Sequence, residues 1–253
     1  MMRNFILVGA MLVAASGLSC TIDLIKRPAA AAPKVGKPAP ATGQAVLVEL
    51  FTSQGCSSCP PADELLARLD KEGAVVALSR PVTYWDRLGW KDTLARAAND
   101  DLQRRYAARG LPGSGVFTPE VVVQGTSAAV GSDERALRKL IASARGTNPV
   151  ILTQAAGRVA ASRAVPGTEL RFMAVASNHA VKIGRGENSG RDIGYTNVVL
   201  NEAAVACPQS TACSAAVPAV IAGQKGADRW VAVLQSKAAG RVQAVRWIGR
   251  PGK

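Results

Sequence analysis

Apolar and polar positions alternate along this chain in blocks that read as distinct elements. Residues 45–51, Ala-Val-Leu-Val-Glu-Leu-Phe, form an almost unbroken apolar run, which predicts a buried strand. A turn at Thr52-Ser53-Gln54-Gly55 leads through Cys56-Ser57-Ser58-Cys59-Pro60-Pro61 into a helix expected over about 62–71, with Leu65, Leu66 and Leu69 on its apolar face. Residues 74–78 predict a second strand. A polar and aromatic segment, Tyr84-Trp85-Asp86-Arg87-Leu88-Gly89-Trp90-Lys91-Asp92, precedes a helix running to Arg109, and the glycines between Gly110 and Gly115 break it. Strands are expected after Pro119 and again over 126–130. A third helix is expected after Ser132 as cap, with Asp133 and Glu134 in its first turn and Ala136, Leu137, Leu140 and Ile141 as its stripe.

The order strand, helix, strand, helix, strand, strand, helix predicts a mixed α/β fold with a central sheet covered by helices, over 45–148. After Asn148-Pro149 the texture changes. Short runs rich in β-branched residues, at 170–176, 197–200, 230–234 and 241–248, alternate with glycine-rich turns. Residues 149–253 are therefore expected to form a separate, small, mainly antiparallel β domain without catalytic residues of its own.

Met1-Met2-Arg3 followed by an apolar run over 5–15 predicts an export signal over 1–19, too short for a permanent membrane span. Residues 20–44 have the Pro/Ala-rich composition of a linker. The protein is thus expected to be periplasmic or secreted. Gly17-Leu18-Ser19-Cys20 resembles the acylation site of bacterial lipoproteins, although Gly17 stands where they usually carry Leu. A membrane tether through Cys20 and ordinary cleavage nearby both stay open.

Composition narrows the function. Hydrophobic residues make up 48% of the chain but aromatics only 4%, so the core is filled by small aliphatic side chains. The formal charge is +13, spread over the whole chain without basic runs or interleaved aromatics. This reads as a solvated basic surface, and nucleic acid is not an expected partner. The single histidine, His179, lies in a stretch expected to be a surface turn and leaves no basis for a His-rich metal site. No cofactor and no metal are expected.

A C-x-x-C pair between a strand and a helix is the strongest chemical signal. Free N–H groups and the dipole at a helix start stabilise a thiolate, which makes Cys56 the expected exposed, acidic nucleophile and Cys59 the resolving thiol. Cys207 and Cys213 enclose a short loop and are expected to form a structural disulfide in an oxidising compartment.

Thr118-Pro119 resembles the thioredoxin superfamily, in which a cis proline faces the redox pair and the residue before it bonds substrate backbone. Glu49 resembles the buried acid of such strands, which exchanges a proton with the resolving cysteine; solvent exposure is the alternative. More closely, the segment Val48 to Asp63, the block Tyr84-Trp85-Asp86 with Leu88-Gly89-Trp90-Lys91-Asp92, Thr118-Pro119 and Gly186-Glu187-Asn188 resemble a bacterial secreted family of unknown function, DUF1223. That resemblance implies a thioredoxin-like fold and no proven substrate. The family's second block carries a His and an Asp just before Tyr-Trp, where this chain has Pro81 and Thr83.

These residues point to an exported thiol–disulfide oxidoreductase acting on protein or peptide thiols. Two alternatives stay open: a thioredoxin-like binding module or metallochaperone holding a soft ion such as Cu(I), and a permanently closed structural disulfide. Trp85 and Trp90 read either as an apolar rim for a peptide or as core.

Overall fold

The computed structural model describes residues 45–146, 150–163, 166–207 and 212–251. The expected signal, the linker and Cys20 lie outside the described residues, as does Asn148-Pro149. In chain order the elements are β1 (Val46–Thr52), α1 (Pro60–Glu72), β2 (Val75–Pro81), a 3-10 turn (Asp86–Leu88), α2 (Ala97–Ala108), β3 (Glu120–Val123), β4 (Ser127–Val130) and α3 (Glu134–Ala144). They continue with β5 (Leu152–Ala155), β6 (Arg158–Ala161), β7 (Thr168–Lys182), β8 (Asp192–Ala206), β9 (Cys213–Ala216), α4 (Ala219–Ala222), β10 (Arg229–Ser236) and β11 (Val242–Ile248).

The fold is mixed α/β, as the pattern implied, but one sheet carries most of it. Eight strands run in the order β11-β10-β7-β8-β2-β1-β3-β4, and β5-β6-β9 form a second, three-stranded sheet. β1 pairs in parallel with β2 and antiparallel with β3. The expectation of a separate β domain over 149–253 is corrected here: β7, β8, β10 and β11 extend the sheet begun by β1 and β2. The junction is narrow. β2 and β8 share one register pair, Ser79 with Val198, and Asn197 donates from Nδ2 to the Ala77 carbonyl at 2.9 Å beside it. Asn197 has a φ of 54°, a left-handed conformation that asparagine tolerates better than most residues, and its side chain takes over where the ladder stops.

Strand alternation sends side chains to two faces. On one face Val46, Val48 and Leu50 of β1, with Val75 and Ala77 of β2, pack on Leu65, Leu66 and Leu69 of α1 and on Leu137 and Ile141 of α3. On the other, Leu47, Val76 and Leu78 join Met173, Val175, Val231 and Val233. The shared core of that second face, drawn from both halves of the chain, is why the predicted boundary does not divide the sheet. A third cluster places Leu152 and Val159 of the small sheet against Leu170, Phe172, Trp230 and Ile248.

Details shift at element ends. α1 starts at Pro60, two residues before its expected start, because proline at the first helical positions gives up only N–H groups the helix does not use. The cap of α3 is Asp133, which accepts from the Ala136 amide at 2.9 Å, and not Ser132. His179 is exposed, as expected, but it sits within β7 opposite Tyr195 and not in a turn.

Candidate redox site

β1 runs into the turn Ser53–Gly55, and the chain then reaches Cys56, Ser57, Ser58 and Cys59 before α1 begins. Cys56 and Cys59 form a disulfide with a Cα–Cα distance of 5.5 Å. Cys59, not Cys56, is the N-cap of α1, and its carbonyl accepts from the Ala62 and Asp63 amides at 2.9 and 3.1 Å. The pair is not exposed, contrary to expectation: both cysteines are 0% accessible while Ser57 and Ser58 between them are exposed. Three other segments produce this burial.

One is the Thr118–Pro119 loop. The Thr118–Pro119 bond is cis, and the Thr118 carbonyl lies 3.8 Å from Cys56 Sγ. Gln103 of α2 steadies this loop by donating from Nε2 to the Phe117 carbonyl and to Glu120 Oε2, each at 2.7 Å.

The second is the aromatic segment. Trp90 Nε1 donates to Gln54 Oε1 at 2.9 Å, and the Gln54 amide donates to Asp92 Oδ2 at 2.8 Å. Burial raises the Asp92 carboxyl, against the amides of Gln54 and Leu94 that lower it. Trp85 packs against Gly55, where an added Cβ would lie 3.3 Å from the Trp85 Cβ. Both tryptophans are half-buried and hold the turn in place.

The third is the hairpin between β7 and β8. Asn188, fully buried, donates from Nδ2 to the carbonyls of Gln54 and Cys56 at 3.0 and 2.9 Å. Glu187 beside it accepts from the Ser57 amide at 2.9 Å. These two residues belong to the Gly186-Glu187-Asn188 loop, for which the sequence offers a contact with the Trp85–Trp90 segment or a plain glycine-rich turn; the loop does lie against Trp90, where a Cβ added at Gly186 would stand 3.4 Å from the Trp90 Cβ.

Glu49 does not stand by the cysteines. Alternation along β1 places it with Leu47 and Phe51, on the face opposite α1. There it is 0% accessible, ion-paired with Arg80 at 2.6 Å and accepting from the Tyr106 hydroxyl at 2.6 Å. Arg80 also reaches Glu202 at 2.7 Å, and Arg171 pairs with Glu202 as well. The role proposed for Glu49 from its spacing fails because seven residues back from Cys56 is the wrong strand parity.

The buried acid on the cysteine side is Asp63, which sequence reading passed over. It lies four residues after Cys59 on α1, so the two share a helix face. Thr52 donates from its hydroxyl to Asp63 Oδ2 at 3.1 Å, while Asp63 Oδ1 is buried without a partner among the described residues. Burial pushes the Asp63 carboxyl well above the usual range, and Thr52 only partly opposes it; Asp92 and Glu64 add like charge. Among the described residues, the hydroxyls of Ser79 and Tyr195 are also buried without partners. Ser79 stands opposite Leu50 in register and so faces α1, as Asp63 does. A C-x-x-C followed by an acid at the next turn was the available sequence signal.

Cys207 and Cys213 form a disulfide with a Cα–Cα distance of 5.2 Å, far along the chain from the first pair. Among the described residues, no group of three or more His, Cys, Asp or Glu side chains is placed to hold a metal ion.

The family model described as a protein of unknown function, DUF1223, matches residues 47–235. A probable thioredoxin from Archaeoglobus fulgidus is 30% identical over 101 residues, which are 40% of this chain and 91% of that protein. The crystal structure of a protein from Agrobacterium tumefaciens is similar with a TM-score of 0.67 and 28% identity, over 82% of this chain and 95% of that one. HBP35 of Porphyromonas gingivalis gives a TM-score of 0.47 at 14% identity, over 81% of this chain and 75% of that one.

Proposed function

We propose a redox function for this chain, which belongs to the family of unknown function DUF1223. In this reading it is a thioredoxin-like thiol–disulfide oxidoreductase that acts on protein or peptide thiols. One observation carries the reading: Cys56 and Cys59 are joined in a disulfide at the start of α1, with the carbonyl before Pro119 beside the Cys56 sulfur. The likeness to a probable thioredoxin over 101 residues supports it.

The chemistry is an exchange in two steps. The Cys56 thiolate attacks a partner disulfide, one partner sulfur leaves as a thiolate, and a Cys56–partner disulfide forms. Cys59 then loses its proton and attacks the Cys56 sulfur. The second partner thiolate leaves and the Cys56–Cys59 disulfide closes. Two electrons pass from the protein dithiol to the partner, and the two protein protons end on two partner thiols. Asp63, on the Cys59 side of α1, is the side chain to accept the Cys59 proton. The same steps run backwards when the partner is the reductant. Thr118 presents backbone to the partner beside Cys56.

Export belongs to the same proposal. It rests on the basic and apolar start of the chain and on the second disulfide, Cys207–Cys213, which suits an oxidising compartment. A lipid tether at Cys20 is part of that reading as one form of the mature protein.

The test uses two experiments. Equilibration of the full chain with glutathione should give a Cys56–Cys59 potential within the range of redox proteins, and reduced Cys59→Ser should trap partners as mixed disulfides on Cys56. A pair that stays closed across that range, or a Cys59→Ser variant that traps nothing, sinks the reading. A second reading is favoured by the burial of both sulfurs: a permanent structural disulfide. It predicts a potential well below the glutathione range and unfolding on reduction.

A further inference from the structure

The β7–β8 hairpin brings a charge to the redox turn from 130 residues away. Glu187 Oε2 accepts from the amide of Ser57, the residue directly after Cys56, at 2.9 Å. The contact is held from behind. Asn188 is anchored on the carbonyls of Gln54 and Cys56, and Arg191 donates from Nη1 to Asn188 Oδ1 at 2.9 Å. Glu187 itself is exposed, so its charge needs no burial to be present at the site.

Few backbone donors remain near Cys56. Pro60 and Pro61 open α1 without N–H groups. The amides of Ala62 and Asp63 go to the Cys59 carbonyl, and that of Cys59 goes to the Cys56 carbonyl at 3.2 Å. Of the two serine amides between the cysteines, Glu187 occupies that of Ser57, while the Ser58 hydroxyl lies 3.3 Å from Cys56 Sγ.

We infer that Glu187 is a positioning residue that holds the Cys56–Cys59 pair toward its disulfide form, by setting a carboxylate on the amide next to Cys56. This inference rests on the redox reading of the pair. Closing the disulfide releases two electrons and the protons held by the two thiols; reopening it takes them back. When Cys56 is a thiolate in the reduced form, a carboxylate held on the next residue's amide opposes that charge. A less stable thiolate makes the reduced form less stable, which is the opposite of the device used by strongly oxidising proteins. The Ser57 contact holds the Glu187 carboxyl below its ordinary range, so it stays ionised where a thiol titrates. The other charges around the turn are the Asp92 carboxyl on the Gln54 amide, Asp63 on the Cys59 side of α1, and Arg191, which reaches Asn188. Gln54 and Asn188 thus separate Asp92 and Arg191 from Ser57, and Glu187 is the charged side chain bonded to the x-x segment.

The test compares the full-length wild type with Glu187→Gln, which keeps an acceptor and removes the charge, and Glu187→Ala, which removes both. Cys56 alkylation is followed against pH, and the dithiol-to-disulfide ratio is measured in glutathione buffers at low and high salt. At low salt, Glu187→Gln should alkylate about threefold to tenfold faster near neutrality and shift the ratio toward dithiol by a similar factor. Glu187→Ala should shift at least as far, and high salt should shrink both differences. If Glu187→Gln matches the wild type in both measurements at low salt, Glu187 merely anchors the hairpin and the inference is wrong. A wild-type pair that never exchanges with glutathione instead removes the redox reading, and the inference with it.

Discussion

Asp63 follows Cys59 by one turn of α1, its amide bonded to the Cys59 carbonyl at 3.1 Å and its carboxyl buried. The only hydroxyl on that carboxyl among the described residues is that of Thr52, at 3.1 Å, on one of its two oxygens. A group so placed is uncomfortable when charged, and it lies one helical turn from Cys59, the thiol that loses a proton in the proposed exchange. This relation gives the first expectation.

Asp63→Asn should preserve the shape of the site and the Thr52 contact while removing the proton acceptor. Resolution of a Cys56 mixed disulfide by Cys59 should slow by about two orders of magnitude at pH above the raised Asp63 value, where the wild-type carboxylate is ionised, and by less below it, where that carboxyl already carries a proton. Stopped-flow exchange with a small disulfide measures this. A uniform slowing at every pH points to distortion and not to proton transfer.

The same carboxyl makes a stability prediction of definite sign. Its folded pKa is raised above the unfolded value of about 3.9. Between those two values the folded state binds more protons than the unfolded one, so stability falls as pH rises from about 4 through the folded pKa. Asp63→Asn should lack that decline, so its stability advantage over the wild type should widen with pH. Urea titrations of the oxidised proteins across that interval check it; a gap that narrows with rising pH contradicts the assignment.

Glu49→Gln tests the opposite face. It leaves Arg80, which is 1% accessible, short of one of its two anions. The expected loss is about 3–5 kcal/mol in urea denaturation, the usual cost of breaking a buried pair. The pH dependence of Cys59 exchange should not move. Glu202 in the same network behaves differently from Asp63: burial pushes its carboxyl up, but Arg171 and Arg80 pull it down to about 2. Its contribution is present above the unfolded value of about 4.3 and lost as pH falls toward about 2, so Glu202→Gln should flatten the acid limb of the stability curve.

Asn188→Ala should leave the Gln54 carbonyl buried without its donor and the Cys56 carbonyl with the Cys59 amide alone. A loss of about 1–3 kcal/mol is expected, with faster proteolysis in the hairpin at 184–190. Limited proteolysis beside urea denaturation reads both. Unchanged cleavage with full loss of stability would mean the hairpin is held by other contacts.

Gly131→Ala tests packing behind Pro119. An added Cβ would stand 2.7 Å from Leu50 Cδ1, 3.1 Å from Pro119 Cβ and 3.2 Å from Ala62 Cβ. Overpacking of this kind costs about 1–3 kcal/mol. Because it pushes on both the proline and α1, exchange by Cys56 should slow along with the loss of stability. Unchanged kinetics would show that Leu50 alone gives way.

Local pattern carried much of this protein. The apolar run at β1, the C-x-x-C turn and the leucine stripe of α1 were legible from sequence because each is set by neighbours within a few residues. The pairing of Cys207 with Cys213 was legible for the same reason, six positions apart. What the chain alone could not disclose is which faces meet. Glu49 and Asp63 are both acids near the cysteines in sequence, and only the strand parity of β1 and the helix face of α1 assign one to Arg80 and the other to the Cys59 side. The compositional break near residue 148 suggested two domains, yet Leu47 and Val76 share a core with Met173 and Val231, so burying that common face joins the strands into one sheet. Glu187 and Asn188 gained their role the same way: the Ser57 amide and the Gln54 carbonyl of the turn are satisfied by a hairpin distant in the chain, and backbone bonds of that kind leave no periodic trace in sequence.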